Sequence, residues 1–125
     1  MSIAPELDEI DFGRWSGQPF SLLASDPSWQ QWNERHDGSC TPAGDSIEQV
    51  QSRIVGHLLG LERVFPGRTI ALVTHAEVIR SAFLWILGLP PCAYRRFEIG
   101  PCSVSTVRSK DGAFTIQCIE RGIQI

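Results

Sequence analysis

A helix–strand–helix succession in the middle of the chain constrains the fold more than any other feature. Ile47, Val50, Ile54, Leu58, Leu61, Val64 and Phe65 repeat with helical spacing across residues 45–65. Asp45 or Ser46 can cap the start by accepting from the free N–H groups of the first turn, and Pro66-Gly67 ends the pattern. Residues 69–74 follow, a short apolar run with several β-branched members, and are expected to form a strand buried on both faces. Val78, Ile79, Ala82, Phe83, Trp85 and Ile86 then resume the helical spacing, which stops at Gly88 and Pro90-Pro91. This order predicts an α/β domain with a largely parallel sheet.

The flanks add smaller elements. Residues 95–99 and 103–108 read as strands, and Asp111-Gly112 marks a tight turn into a further strand at 113–120, giving a C-terminal β-hairpin. Residues 20–24 and 29–35 read as short helical pieces separated by Asp26-Pro27, and residues 36–44 as a loop. No repeat or linker interrupts the chain, and 125 residues is the length of one domain, 1–125.

Charge narrows the function classes. Eleven Lys and Arg stand against 14 Asp and Glu, the reverse of the surplus a nucleic-acid partner requires. No run of 18 apolar residues is present to span a membrane, and the acidic start lacks the basic and apolar stretches of a signal peptide. Cys40, Cys92, Cys102 and Cys118 contain no close pair, so reduced thiols in a cytoplasmic protein are expected. His36, His57 and His75 provide no close ligand spacing either, and neither a metal nor a cofactor is expected.

Two segments could carry chemistry. His75 falls where the 69–74 strand ends and a helix begins, the place where ligands of open α/β sheets gather and where free N–H groups favour an anion. It could donate to a phosphoryl oxygen with backbone N–H groups assisting, or it could simply cap the helix or pack beside it. Residues 7–17 place Asp8, Glu9 and Asp11 beside two glycines and two aromatic residues. A carboxyl group beside an aromatic ring suits a general acid, because burial disfavours ionisation; the plainer reading is a solvated acidic stretch leading into a Gly-bounded turn.

Together these segments resemble the histidine phosphatase superfamily, also called phosphoglycerate-mutase-like. Leu7-Asp8-Glu9-Ile10-Asp11-Phe12-Gly13-Arg14-Trp15-Ser16-Gly17 is similar to the family's L-x-E-x-D-F-G-x-W-E-G, with Ser16 in place of Glu. Pro42-Ala43-Gly44-Asp45-Ser46 resembles the P-x-G-E-S that opens a long helix, on which Arg53 falls where an Arg is common. Val73-Thr74-His75-Ala76-Glu77-Val78-Ile79-Arg80 resembles V-S-H-G-G-V-I-R, with Ala76 and Glu77 replacing two glycines; Leu87-Gly88-Leu89-Pro90 and Ser103-Val104-Ser105 fit the segments that follow. The resemblance implies a phosphoglycerate-mutase-like sheet flanked by helices. It also implies phosphomonoester hydrolysis or phosphoryl transfer through a transient phosphohistidine, with charge stabilisation by a second His and two Arg. Carried over by position, Glu9 would donate the proton to the leaving oxygen, and His75 with the Ala76 N–H would contact the phosphoryl group.

The family's R-H-G motif, at the end of its first strand, has no counterpart before Leu7. The domain is therefore expected to be N-terminally incomplete, lacking the first strand and the nucleophile. Arg35-His36-Asp37-Gly38 has Asp where the motif needs Gly and follows a helical pattern, so it reads as a coincidence. His57 reads as a partly buried structural residue, and Arg14, Arg53 and Arg80 as ion-pair or solvent contacts. Unpaired strand edges would remain, which predicts a homo-oligomer or a rearranged sheet. The expected ligand is a small phosphorylated metabolite or a phosphate-like anion, with no nucleic acid and no membrane partner. A non-catalytic anion-binding relative and an inactive truncated fragment are the alternatives.

Overall fold

The computed structural model describes residues 1–35 and 44–122. Four α-helices, α1 (Phe20–Leu23), α2 (Pro27–Arg35), α3 (Ile47–Val64) and α4 (Ala76–Leu87), precede two strands, β1 (Ser103–Lys110) and β2 (Ala113–Gly122). Short 3-10 turns occupy Pro5–Leu7, Gly13–Trp15 and Pro91–Arg96.

Helix α3 begins where its sequence supplies a reciprocal cap. The Gln49 N–H donates to Ser46 Oγ at 3.2 Å and the Ser46 N–H to Gln49 Oε1 at 2.8 Å, satisfying two groups that helix geometry leaves open. Helix α4 ends at Gly88, whose φ of 68° reverses the chain while the Leu89 N–H donates to the Leu84 carbonyl at 2.9 Å. Between these ends the two helices share one core. Val50 and Ile54 of α3 and Val78, Ala82 and Phe83 of α4 are buried in a cluster with Ile10, Trp15, Leu23, Trp32, Ile47 and Ile99. Gln51 Nε2 donates to the Ser81 carbonyl at 3.0 Å, a polar tie between the helices.

Aromatic packing brings the N-terminal segment and α2 onto this core. The Trp15 ring meets Trp29 at 5.2 Å and Trp32 at 6.2 Å, both edge-on, the geometry that ring quadrupoles favour. The expected short helical pieces are thus present as α1 and α2.

The C-terminal hairpin also forms as expected. Asp111 and Gly112 both adopt positive φ, 53° and 79°, the two-residue turn whose twist matches antiparallel strands. The Gly112 N–H donates to Glu62 Oε1 at 2.9 Å, which ties the hairpin tip to α3. Side chains alternate between half-buried and exposed along β1, and Val107, Ile116 and Ile119 pack against the core. An irregularity near Ser105 shifts the register by residue 106, where the Ser105 hydroxyl donates to the Ile119 carbonyl.

Two sequence expectations fail locally. Residues 69–74 join no ladder, and the hairpin is the only sheet among the described residues. Ile70 is 41% and Val73 87% exposed, so the run is neither paired nor buried on both faces. An apolar, β-branched run becomes a buried strand only if neighbours supply ladder partners and covering layers, and the described residues supply neither. Residues 95–99 do not form a strand either. Pro91 at the first position of a 3-10 turn and the Ala93 N–H donating to the Pro90 carbonyl at 2.9 Å carry the turn through Arg96, with Ala93 and Tyr94 buried against Leu84.

Candidate functional site

The site is assembled around one arginine. Arg53 lies in the second turn of α3 and reaches back to the N-terminal segment. Its Nη1 donates to the carbonyls of Glu6 at 2.8 Å and Asp8 at 2.6 Å, and its Nη2 to that of Glu9 at 3.3 Å. A guanidinium presents several donors in a fixed fork, so one side chain can hold three carbonyls of a four-residue stretch that has no ladder of its own. Nη2 also lies 3.5 Å from Asp45 Oδ2.

Asp45 closes the arrangement. Its carboxylate accepts from the Asp11 N–H at 3.0 Å, and its own N–H donates to the Asp11 carbonyl at 2.8 Å. The Glu9-bearing segment is therefore held from both sides, by Arg53 at residues 6–9 and by Asp45 at residue 11. Ser46 provides the helix cap, which frees Asp45 for this bridging contact.

The His75-bearing junction is fastened to the same segment. Thr74 Oγ1 donates to the Leu7 carbonyl at 2.7 Å. Leu7 is two residues before Glu9, and Thr74 directly precedes His75, so the backbones carrying both predicted site residues adjoin at this bond. His75 is the N-cap residue of α4 in extended conformation, its side chain makes no cap hydrogen bond, and it is exposed. The simple capping alternative for His75 is therefore not what the geometry shows. Ala76 opens the 12-residue helix, and its N–H belongs to the set that lacks intrahelical partners. An imidazole donor beside such N–H groups can receive an anion. Glu9 is half-buried, with Oε1 accepting from the Ile10 N–H at 2.9 Å.

Other sequence candidates take structural places. Arg80 pairs with Glu77 at 3.0 Å, and its guanidinium carbon lies 5.7 Å from the centre of the Tyr94 ring. His57 Nδ1 lies 3.7 Å from Glu6 Oε2 on the flank of α3. Arg14 is exposed. Arg35-His36-Asp37-Gly38 and Pro42-Ala43 fall at least partly outside the described residues. Among the described residues no group of three His, Cys, Asp or Glu is placed to hold a metal ion, and no helix is long and apolar enough to cross a membrane.

Arg53 is the positioning residue that sequence reading undervalued. Carbonyl acceptors leave no trace in residue type, so its three backbone bonds were invisible. The available signal was its place on a long helix eight residues after Asp45.

The chain is similar to several known proteins. The "Probable phosphoglycerate mutase GpmB" of Cronobacter sakazakii is 32% identical over 106 residues, covering 82% of this chain and 49% of the relative. The chain thus spans about half the length of the curated relatives it matches. Among solved structures, Bacillus stearothermophilus YhfR superposes with a TM-score of 0.85 at 19% identity, over 92% of this chain and 58% of that one, which shows a common fold. A phosphoserine phosphatase variant from Entamoeba histolytica, in complex with phosphoserine, superposes with a TM-score of 0.77 at 26% identity, over 91% of this chain and 58% of that one. The family profile matches residues 1–121, nearly the whole chain, and the chain belongs to the histidine phosphatase superfamily (branch 1).

Proposed function

We propose that this chain contributes the phosphoryl-binding and proton-donating part of a phosphomonoester site. In this reading His75 and the Ala76 N–H receive the phosphoryl oxygens, and Glu9 would give its proton to the leaving oxygen when a histidine nucleophile, not assigned in this sequence, forms its bond to phosphorus and the P–O bond breaks. The observation that supports it best is the exposed, uncapping His75 at the start of α4, joined through the Thr74–Leu7 bond to the segment that Arg53 clamps around Glu9. Similarity to an enzyme crystallised with phosphoserine, and to the same enzyme with 3-phosphoglyceric acid, supports a small phosphorylated metabolite as the ligand class.

The sequence contains no R-H-G motif. Formation of the N–P bond of a phosphohistidine thus has no assigned nucleophile here, and on this reading the isolated chain binds phosphomonoesters without turning them over. The test is incubation of purified protein with an aryl phosphate from mildly acidic to neutral pH, beside His75→Ala and Glu9→Ala. Binding without turnover, lost in His75→Ala, is the expected result. Turnover abolished by both substitutions would replace this reading with an autonomous phosphatase, and absence of both binding and turnover would leave an inactive fragment.

A second reading, self-association, is favoured by residues 69–74. Their backbone joins no ladder, and Val73 and Ile70 carry no charge to discourage edge pairing with another copy. Size-exclusion chromatography with light scattering should show association that grows with concentration; a clean monomer throughout contradicts it.

A further inference from the structure

The phosphoryl site proposed above has a negative charge built in beside it. Glu77 directly follows Ala76 in the first turn of α4, two residues after His75. The first intrahelical bond of α4 runs from the Ile79 N–H to the His75 carbonyl at 3.1 Å, so the Ala76 N–H lies in the stretch before it. A helix N-terminus attracts whatever anion is nearest. A carboxylate of the chain itself therefore competes there with a phosphoryl group, for the N–H donors and through like-charge repulsion.

A chain of contacts holds this carboxylate. Arg80, one turn further along α4, donates from Nη1 to Glu77 Oε1 at 3.0 Å, and both side chains are mostly buried. Arg80 is in turn backed by a ring: its guanidinium carbon lies 5.7 Å from the centre of Tyr94, a residue only 7% exposed. The Tyr94 hydroxyl accepts from Arg95 Nε at 2.8 Å, and Arg95 Nη2 donates to the Asn33 carbonyl at 2.8 Å. The contacts thus run from α2 through the Pro91–Arg96 turn to the first turn of α4. An ion pair kept largely from water and packed on a fixed ring holds its geometry better than an exposed one.

We infer that Arg80 is a positioning residue of the phosphoryl site. It draws the Glu77 carboxylate along the helix, away from the N-terminal end of α4, and offsets its charge. His75 and the Ala76 N–H are thereby left to the incoming anion. Arg80 touches no ligand and acts only through Glu77. This role rests on the phosphoryl reading above and deepens it.

The test is a double-variant cycle, with phenyl phosphate titrated into the purified chain and the Ala76 amide followed by NMR. Arg80→Gln should weaken binding about tenfold, the size of effect a charge beside a helix N-terminus exerts in a partly buried setting. Glu77→Gln should bind at least as tightly as the parent, and the combined Glu77→Gln/Arg80→Gln variant should recover the parent affinity. A merely structural role for Arg80 gives no such recovery, because removing its partner as well does not restore a displaced helix. Arg80→Lys keeps a cation but loses the planar fork; it should fall between the parent and Arg80→Gln, and it supplies the same comparison if Arg80→Gln does not fold. No saturable shift in the parent overturns the phosphoryl reading and this inference with it. Binding in the parent that Arg80→Gln leaves unchanged, or that the combined variant fails to recover, overturns this inference alone. So does a Glu77→Gln variant that binds more weakly than the parent.

Discussion

Two neighbouring stretches of similar composition behave oppositely in this molecule. Helix α4, rich in Val, Ile, Leu and Phe, buries Val78, Ala82, Phe83 and Leu84 almost completely. The run at 69–74 directly before it leaves Val73 almost fully exposed and its backbone without a ladder. The difference lies in where each element finds its hydrogen-bond partners. A helix satisfies its backbone internally and needs only one covering face, whereas a strand depends on a neighbour that local sequence does not encode. The irregular segment around Glu9 shows a third solution, in which a single side chain, Arg53, supplies donors to backbone that neither helix nor sheet satisfies.

This contrast predicts a graded series of effects. Phe83→Ala, in the shared core, should show the largest loss, about 3–5 kcal/mol in denaturant unfolding. Arg53→Ala removes three carbonyl bonds and a partly exposed ion pair, and a loss of about 2 kcal/mol is expected, with Arg53→Lys recovering only a minor part because an ammonium lacks the fork. Hydrogen exchange at Ile10 and the Asp11 amide should speed up in the same variant while the β1–β2 amides remain protected. Ser46→Ala removes one half of the α3 cap and should cost about 1 kcal/mol. Val73→Ala should fall within about 0.5 kcal/mol of the parent in dilute protein, as an exposed site does. A loss at Val73 that rivals Phe83 would show that residues 69–74 are buried in solution, and a loss that grows with protein concentration would identify another copy as the cover.

The elements that were legible in the sequence are those whose stabilisation is local. The spacing of Ile47, Val50 and Ile54, the cap candidates Asp45 and Ser46, and Gly88 marked α3 and the end of α4 within a residue or two. Asp111-Gly112 marked the hairpin because only a short list of residues adopts positive φ in tandem. Residues 69–74 misled because β-branched composition reports a capacity to pair and says nothing of a partner. Residues 95–99 misled because the Pro90-Pro91 start propagates a 3-10 turn past the point where the strand pattern begins. Resemblance singled out Glu9 and His75 as candidates, whereas the bonds from Arg53 and Thr74 to the neighbouring backbone leave no mark in the sequence, since all four end on backbone carbonyls.

The central claim, that the start of α4 and the clamped Glu9 segment form a phosphoryl-binding site, is tested most directly by titrating the isolated chain with phenyl phosphate while observing the His75 imidazole and the Ala76 amide. The account predicts saturable shifts at both positions that disappear in His75→Ala and weaken in Arg53→Ala. Shifts absent from both positions, or unchanged in His75→Ala, would contradict it.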